Sequence, residues 1–352
     1  MIESEIMPMD SCEVTIKHPA LDTTKDCFIN FIYTNKKTKK LIAKEQLSLC
    51  KFIKKGTKPE GKEIVCVQEN DELKVLTNSA KVVFDMKSGK MSEYKIGEKD
   101  FLGRQGNMQI FVPNIYRAPI DNYMYKDKKW KELGFDDISI ELTNFEYKKT
   151  SNCVIVSTEE RLIGAGKTRF MVYIDYSIYE NGEIDINACL EKLKAYDIPK
   201  FGLNFELPIE YSEIEYYGRG EIENYSDMSA HAIMGIYKNT AEGMFEHYIK
   251  PQDNGNRSDV RWAKITDKNG EGWLIKANGE AFNFNANNYD DKTIAKAKHD
   301  FELKKQDKTI VRIDGFVRGV GSNSCGPDTR KEFRHDSDEN IEYSFKIMPI
   351  VK

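Results

Sequence analysis

The sequence predicts an antiparallel all-β protein, and two observations carry that prediction. Stretches that alternate apolar and polar residues, rich in β-branched and aromatic types, recur along the whole chain. Turn residues join several of them, and no amphipathic helices alternate with the strands as a parallel α/β sheet would require.

Taken in order, residues 1–50 offer about three strands, among them "FINFIYTN". The lysine-rich "NKKTKK" at 35–40 reads as a solvated hairpin tip. Too few strands stand here to close a sandwich, so the chain is expected to begin partway through a domain. The Lys- and Gly-containing "KFIKKGTKPEGKE" at 51–63 reads as a linker. The predicted division is a segment at 1–50, a linker at 51–64 and a main sandwich at 65–352.

Within the sandwich, "LKVLTNSAKVVFDM" opens the strand series, and residues 85–89 separate "KVVF" from "KMSEYKI" as a hairpin turn. A short helix is expected at 127–134. "NCVIVSTEERL" and "RFMVYIDYSIYENGEIDINACLE" follow, the second folded at Asn181-Gly182, where positive φ is tolerated. "GWLIKANGEAFNFNAN", a short helix at 291–298 and "TIVRIDGFVRGVG" complete the pattern.

Composition narrows the function. With 40% hydrophobic, 31% charged and 11% aromatic residues, the 352-residue chain belongs with soluble globular proteins. No apolar run is long enough for a membrane span, and the acidic start "MIESEIMPMDSCEV" is unlike a secretory signal, so a cytoplasmic location is expected. A net charge of -4 with both signs interspersed argues against nucleic acid. The seven cysteines (Cys12, Cys27, Cys50, Cys66, Cys153, Cys189, Cys325) form no CxxC and are expected to be reduced.

Motifs for catalysis are sparse. The five histidines (His18, His231, His247, His299, His335) have no metal-ligand spacing, so no metal is expected within this chain. There is no GxSxG, and "GRGEIEN" lacks GxGxxG spacing. Carboxylate pairs remain open, because sequence spacing does not decide which of the 57 acids face each other.

Five segments carry more information: "IYRAPIDNYMYKDKKWKELG" (115–134), "PKFGLNFELP" (199–208), "YYGRGEIENYSDM" (216–228), "YIKPQDNGNRSDVRW" (248–262) and "GVGSNSCGPD" (319–328). In order and approximate spacing they resemble the carboxy-terminal region of glycoside hydrolase family 2 β-galactosidases, a resemblance that covers residues 65–350. "CFINFIYTNKKTKKLIAKEQLSL" resembles the last strands of the immunoglobulin-like domain that precedes it.

The resemblance implies a galactose-mutarotase-like supersandwich of antiparallel sheets, preceded by a partial immunoglobulin-like segment. It places the two catalytic glutamates, and the Mg and Na sites, in a TIM barrel outside this chain. No Asn-Glu dipeptide, the family's acid/base context, occurs here. The implied partners are therefore a TIM-barrel portion or large subunit and a galactoside at a shared cleft, with no hydrolysis by this chain alone. A homo-oligomer stays open, since half a sheet leaves free edges. The sequence departs from the family's usual residues at Tyr123, Ser226, Met228 and Asp253. Some relatives place a Trp in the "SNSCGPD" loop, which reaches the partner's active site and floors the galactoside. Cys325 stands near that place and cannot stack on a sugar as an indole does.

Candidate cleft-lining or sugar-binding residues are Asn323, Ser324 and Cys325 in that loop, with Arg219, Glu223, Asn224, Asn254 and Arg257. Arg219, flanked by Gly218 and Gly220, is placed to hold Glu223 or Asp227, either as a sugar- or interface-facing patch or as a salt-bridged loop at the sandwich edge. Arg117, Asp121, Asn122, Asp259, Arg261 and Trp262 are read as structural or interface residues. Asn254-Gly255 reads as a hairpin tip, Arg257, Asp259 and Arg261 as alternating along one strand face, and Trp262 as core. Arg117 and Asp121 are expected to pair or to meet the barrel, and His299 to pack at a helix-to-strand junction. The competing classes are a carbohydrate-binding module, a mutarotase-like epimerase in which His231 or His247 would face a carboxylate, and a fragment without an autonomous role.

Overall fold

The structure, a computed structural model, describes residues 9–53, 64–102, 108–322 and 328–352. It divides into two compact units, Met1–Phe52 and Ile53–Lys352. In the first, β1 (Cys27–Thr34) and β2 (Leu41–Cys50) form one antiparallel hairpin, two strands among the described residues where about three were expected. The "NKKTKK" run lies at its turn, as predicted.

The second unit is almost entirely antiparallel β. A small meander comes first: β3 (Val65–Glu69), β4 (Glu72–Leu76), β5 (Lys81–Asp85), β6 (Met91–Ile96) and β7 (Lys99–Asp100). After β8 (Val112–Asn114) and the short helix α1 (Met124–Glu132) come β9 (Ser139–Lys149), β10 (Cys153–Gly164), β11 (Lys167–Tyr179) and β12 (Ile184–Lys192). Then follow β13 (Lys200–Pro208), β14 (Glu213–Gly220), β15 (Ile233–Thr240), β16 (Arg257–Val260), β17 (Trp262–Thr266), β18 (Gly272–Ala277) and β19 (Phe282–Asn287). The helix α2 (Asp291–Lys296), β20 (Lys308–Val317) and β21 (Ile341–Ile350) close the chain. Both predicted hairpins are present, with Gly89 and Gly182 at positive φ. No helix among the described residues is long and apolar enough to cross a membrane.

A nine-stranded sheet, β15-β14-β17-β18-β21-β12-β11-β10-β9, turns its apolar face toward two five-stranded sheets, β3 to β7 and β16-β19-β20-β13-β8. Aromatic rings knit the layers. Tyr176 on β11 meets Phe84 of the meander at 5.2 Å, while Tyr343 on β21 meets Phe201 on β13 at 5.7 Å. Trp273 touches Tyr94 and Phe205, one from each smaller sheet, and its indole N–H donates to the Phe101 carbonyl. Burying such rings is the main source of cohesion, at about 25 cal/mol per Å² of apolar surface.

Candidate functional site

The sheet β16-β19-β20-β13-β8 has one face in the core and one lined with polar groups. Period-2 alternation puts Phe282, Phe284, Val311, Ile313, Leu203 and Phe205 inward. The opposite face carries Asn283, Asn285, Arg312, Asp314, Lys200 and Asn204. Register arranges them in lateral rows: Asn283, Asp314, Gly202 and Asn114 cross four strands, and Asn285, Arg312 and Asn204 form the next row. Gly202 leaves the space that the Asp314 carboxylate fills.

Although polar, this face is buried, and Asp291 from α2 sits on it. Arg312 Nη2 donates to Asp291 Oδ1 at 3.2 Å and to the Tyr289 carbonyl, Asn114 donates to Asp291 Oδ2 at 2.8 Å, and Lys200 lies 3.5 Å away. Burial raises the Asp291 pKa, but Arg312, Lys200 and Asn114 outweigh it and hold the carboxyl below the usual range. Asp314 responds the other way. Burial pushes it up to about 6, only partly offset by Lys200 and Arg312, and its Oδ1 has no hydrogen-bond partner among the described residues.

Over the outer strands of this face lies a network built from the 219–228 and 248–262 segments. Glu223 is buried, and both of its carboxylate oxygens are engaged: Tyr248 O–H donates to one, while the Gly255 N–H (2.8 Å) and Tyr225 O–H (3.4 Å) donate to the other. Asn224 spends its amide N–H on the Arg219 and Ile222 carbonyls and accepts from the N–H and O–H of Ser258. Asn254 accepts from the Glu246 N–H, and its own carbonyl accepts from Asn285. Arg257 donates to Tyr216 O–H oxygen at 3.0 Å and to the Gly255 carbonyl at 2.9 Å.

The 115–134, 216–228 and 248–262 segments converge on one short stretch of chain, residues 318–322 and 328–330. The Asp227 carboxylate accepts from the N–H groups of Val320, Gly321 and Ser322 at 2.8, 2.9 and 2.8 Å. Asn122 donates to the Val320 carbonyl at 2.8 Å. Arg117, fully buried, holds Asp253 at 2.9 Å and donates to the Arg318 carbonyl at 2.7 Å. Arg318 binds Asp197 and Asp328, Lys126 reaches the same two carboxylates, and Arg334 adds a third cation to Asp328. The stem at 318–322 and its return at 328–330 are thereby fixed from both sides, and Arg330 N–H also donates to Ser322 Oγ.

Several expectations are corrected. Arg219 holds neither Glu223 nor Asp227; its Nε meets Asp259 at 2.6 Å, because Glu223 turns inward and Asp227 toward the stem. Arg117 pairs with Asp253, while Asp121 lies 3.5 Å from Lys250 and its N–H donates to Gln252. Asn254-Gly255 is no hairpin tip, since β16 pairs with β19 and not with β15. Arg257, Asp259 and Arg261 do not alternate on one face: a register shift lies between Arg257 and Val260, and Asp259 has φ 56°. Trp262 is half-buried with Lys264 over its ring, outside the core. His299 is exposed, bonded to Glu302 and stacked on Phe301. His231 bonds the Glu223 main-chain carbonyl, and His247 meets Asp300 at the surface, so neither faces a carboxylate within the polar sheet face. Asn323, Ser324 and Cys325 lie outside the described residues. Sequence reading missed Asp197, Lys200, Arg312, Asp314 and Arg318, whose partners stand far away in the chain.

Chemically, the cluster is a brace. Its carboxylates are spent on main-chain N–H groups, guanidinium groups and tyrosines, an arrangement that fixes loops.

Comparison with known proteins then places the chain. The family model described as the β-galactosidase small chain matches residues 77–347. The chain belongs to that family. The small-chain match contains every residue of the brace, from Arg117 to Arg334, and leaves the β1–β2 unit outside it. Among curated relatives, a β-galactosidase of Actinobacillus pleuropneumoniae is 32% identical over 66% of this chain and 22% of its own length. That of Staphylococcus xylosus is 25% identical over 80% and 29%, and that of Lactococcus lactis subsp. lactis 26% identical over 96% and 35%. This small-chain protein thus spans between about a fifth and about a third of the curated relatives it matches. Among solved structures, a putative mutarotase from Salmonella typhimurium is similar at 13% identity and TM-score 0.44, covering 82% of this chain and 94% of that one.

Proposed function

We propose that this chain is the non-barrel part, or separate small subunit, of a glycoside hydrolase family 2 β-galactosidase. In this reading it completes the active-site cleft of a TIM-barrel partner that hydrolyses terminal β-galactosides in the cytoplasm. The observation that carries it is the convergence of three separate segments, 115–134, 216–228 and 248–262, on the described stem at 318–322 and 328–330. Folding three distant segments into a brace for one stem makes sense where the residues it carries must be presented at a set position to something outside the chain.

The division of labour follows. The partner supplies the acid/base and nucleophilic glutamates and holds the Mg and Na ions, while Asn323, Ser324 and Cys325 line the shared cleft. Asp227 and Asn122 act as positioning residues for that loop, and Glu223, Asn224, Asn254 and Arg257 brace the wall behind it. A thiol at 325 gives the sugar face no aromatic floor, so affinity for the galactoside rests on short polar contacts.

Sedimentation of the purified chain, mixed with a barrel-bearing β-galactosidase half that lacks its carboxy-terminal region, tests the pairing. A species of combined mass is expected, since completing a cleft between two large units requires an interface of at least about 1,000 Å². Two independent boundaries at all concentrations would contradict it.

A further inference from the structure

The outward face of the nine-stranded sheet holds a concavity of about 700 Å³ that the brace does not use. It lies within the roughly 300–1,000 Å³ range of small-molecule sites. Its floor is two lateral rows across three neighbouring strands: Tyr173, Cys189 and Glu342 in one, Asp175, Asn187 and Ser344 in the other. The 278–280 turn after β18 forms a lip, with Gly279 at φ 100° and Glu280 beside it, and Ile53 adds an apolar patch.

We infer that this concavity is a second, non-catalytic binding site for a neutral oligosaccharide. Three features favour that class of ligand. Tyr173 presents an exposed ring, steadied by its O–H bond to Glu191 at 2.7 Å, against which the C–H face of a pyranose packs. The Asn187 amide and the Glu280 carboxylate make no hydrogen bond among the described residues and stand open to sugar hydroxyls, whereas Asp175 is already steadied by Ser157 at 2.6 Å. Among the described residues the lining contains Asp175, Glu280 and Glu342 but no Lys, Arg or His, a balance that disfavours an anionic glycan while a neutral one can donate its hydroxyls to these carboxylates. From β11 to β21 the floor is two strand spacings wide, about 10 Å, which is the reach of two linked sugar rings. The site rests on none of the residues assigned to the galactosidase cleft, so either reading can fail without the other.

The test is calorimetric titration of the full chain with β1,4-galactotetraose and with cellotetraose, with a heparin tetrasaccharide and calcium chloride as contrasting arms. At least one neutral sugar should bind and the heparin fragment should not. Tyr173→Ala and Asn187→Ala, both on the solvent face of the sheet, should each weaken binding about tenfold, while Tyr173→Phe, which keeps the ring, should leave it within about threefold. An independent readout is the thiol on the floor: bound sugar should slow iodoacetamide labelling of Cys189 and leave that of Cys66, in β3, unchanged. No neutral sugar binding, binding of calcium alone, or sugar binding indifferent to Tyr173→Ala with Cys189 unprotected would each overturn the inference.

Discussion

Gly319 stands against the carboxylate of Asp227: a Cβ added at Gly319 would come within 2.6 Å of Asp227 Cγ. That closeness lets one side chain, 92 residues earlier (319 − 227), hold three consecutive main-chain N–H groups of the stem.

Asp227→Ala leaves those N–H groups without their acceptor, and Gly319→Ala pushes the acceptor away. Each is expected to cost about 1–3 kcal/mol of stability and to lower hydrolysis by the reconstituted enzyme about tenfold or more through displacement of the stem. Urea unfolding and galactoside turnover of the mixture check the two effects. Stability lost with turnover intact would mean that the stem serves the fold alone.

Arg117 is buried against Asp253 and the Arg318 carbonyl. Removing one partner strands the other charge, so Asp253→Ala is expected to destabilise by about 3–5 kcal/mol. Arg117→Lys should recover little, because an ammonium cannot span the carboxylate and the carbonyl as the guanidinium does. Denaturant midpoints of the two variants decide this.

The polar face of the five-stranded sheet gives a pH dependence with a definite sign. The Asp314 pKa is raised from 3.8 to about 6 by burial, so its protonated form favours the fold. That contribution is fully present below the unfolded value and is lost as pH rises through about 6. Asp314→Asn should therefore match the parent at about pH 4 and exceed it at about pH 8, by on the order of 1–3 kcal/mol. Asp291, held low by Arg312 and Lys200 despite its burial, has the opposite linkage: its contribution is present above its unfolded pKa and lost as pH falls. Urea unfolding at both pH values measures the difference, and a parent that gains on the variant as pH rises would contradict the assignment.

Glu223→Gln keeps the shape of the side chain but turns an amide N–H₂ toward a site where Tyr225, Tyr248 and the Gly255 N–H all donate. A loss of about 1–3 kcal/mol is expected, with kcat of the reconstituted enzyme unchanged once the chain is folded. A fall in kcat at full folding would show that Glu223 does more than brace the wall.

The strand pattern was legible because alternation and Asn-Gly or Gly turns are local signals, and 181–182 and 85–89 both mark real hairpins. Local signals misled where the backbone departs from regular pairing. The irregularity before Val260 and the positive φ of Asp259 took Trp262 out of the core and turned Asp259 toward Arg219. "FNFNAN" shows the limit of periodicity. Alternation tells which residues share a face, but Asn285 and Asn287 are buried beneath segments that arrive from elsewhere in the chain. For the same reason Arg318 could not be joined to Asp197 from sequence, across 121 residues, even though both flank motifs that had been singled out.

Galactoside hydrolysis by a fixed amount of the barrel-bearing half, measured as this chain is titrated in, puts the proposed role at risk in a single curve. The rate should start near zero, rise with added chain and saturate near equimolar amounts, while the chain alone stays inactive. A flat response, or turnover by the chain alone once every trace of host enzyme is removed, would contradict the role of completing subunit.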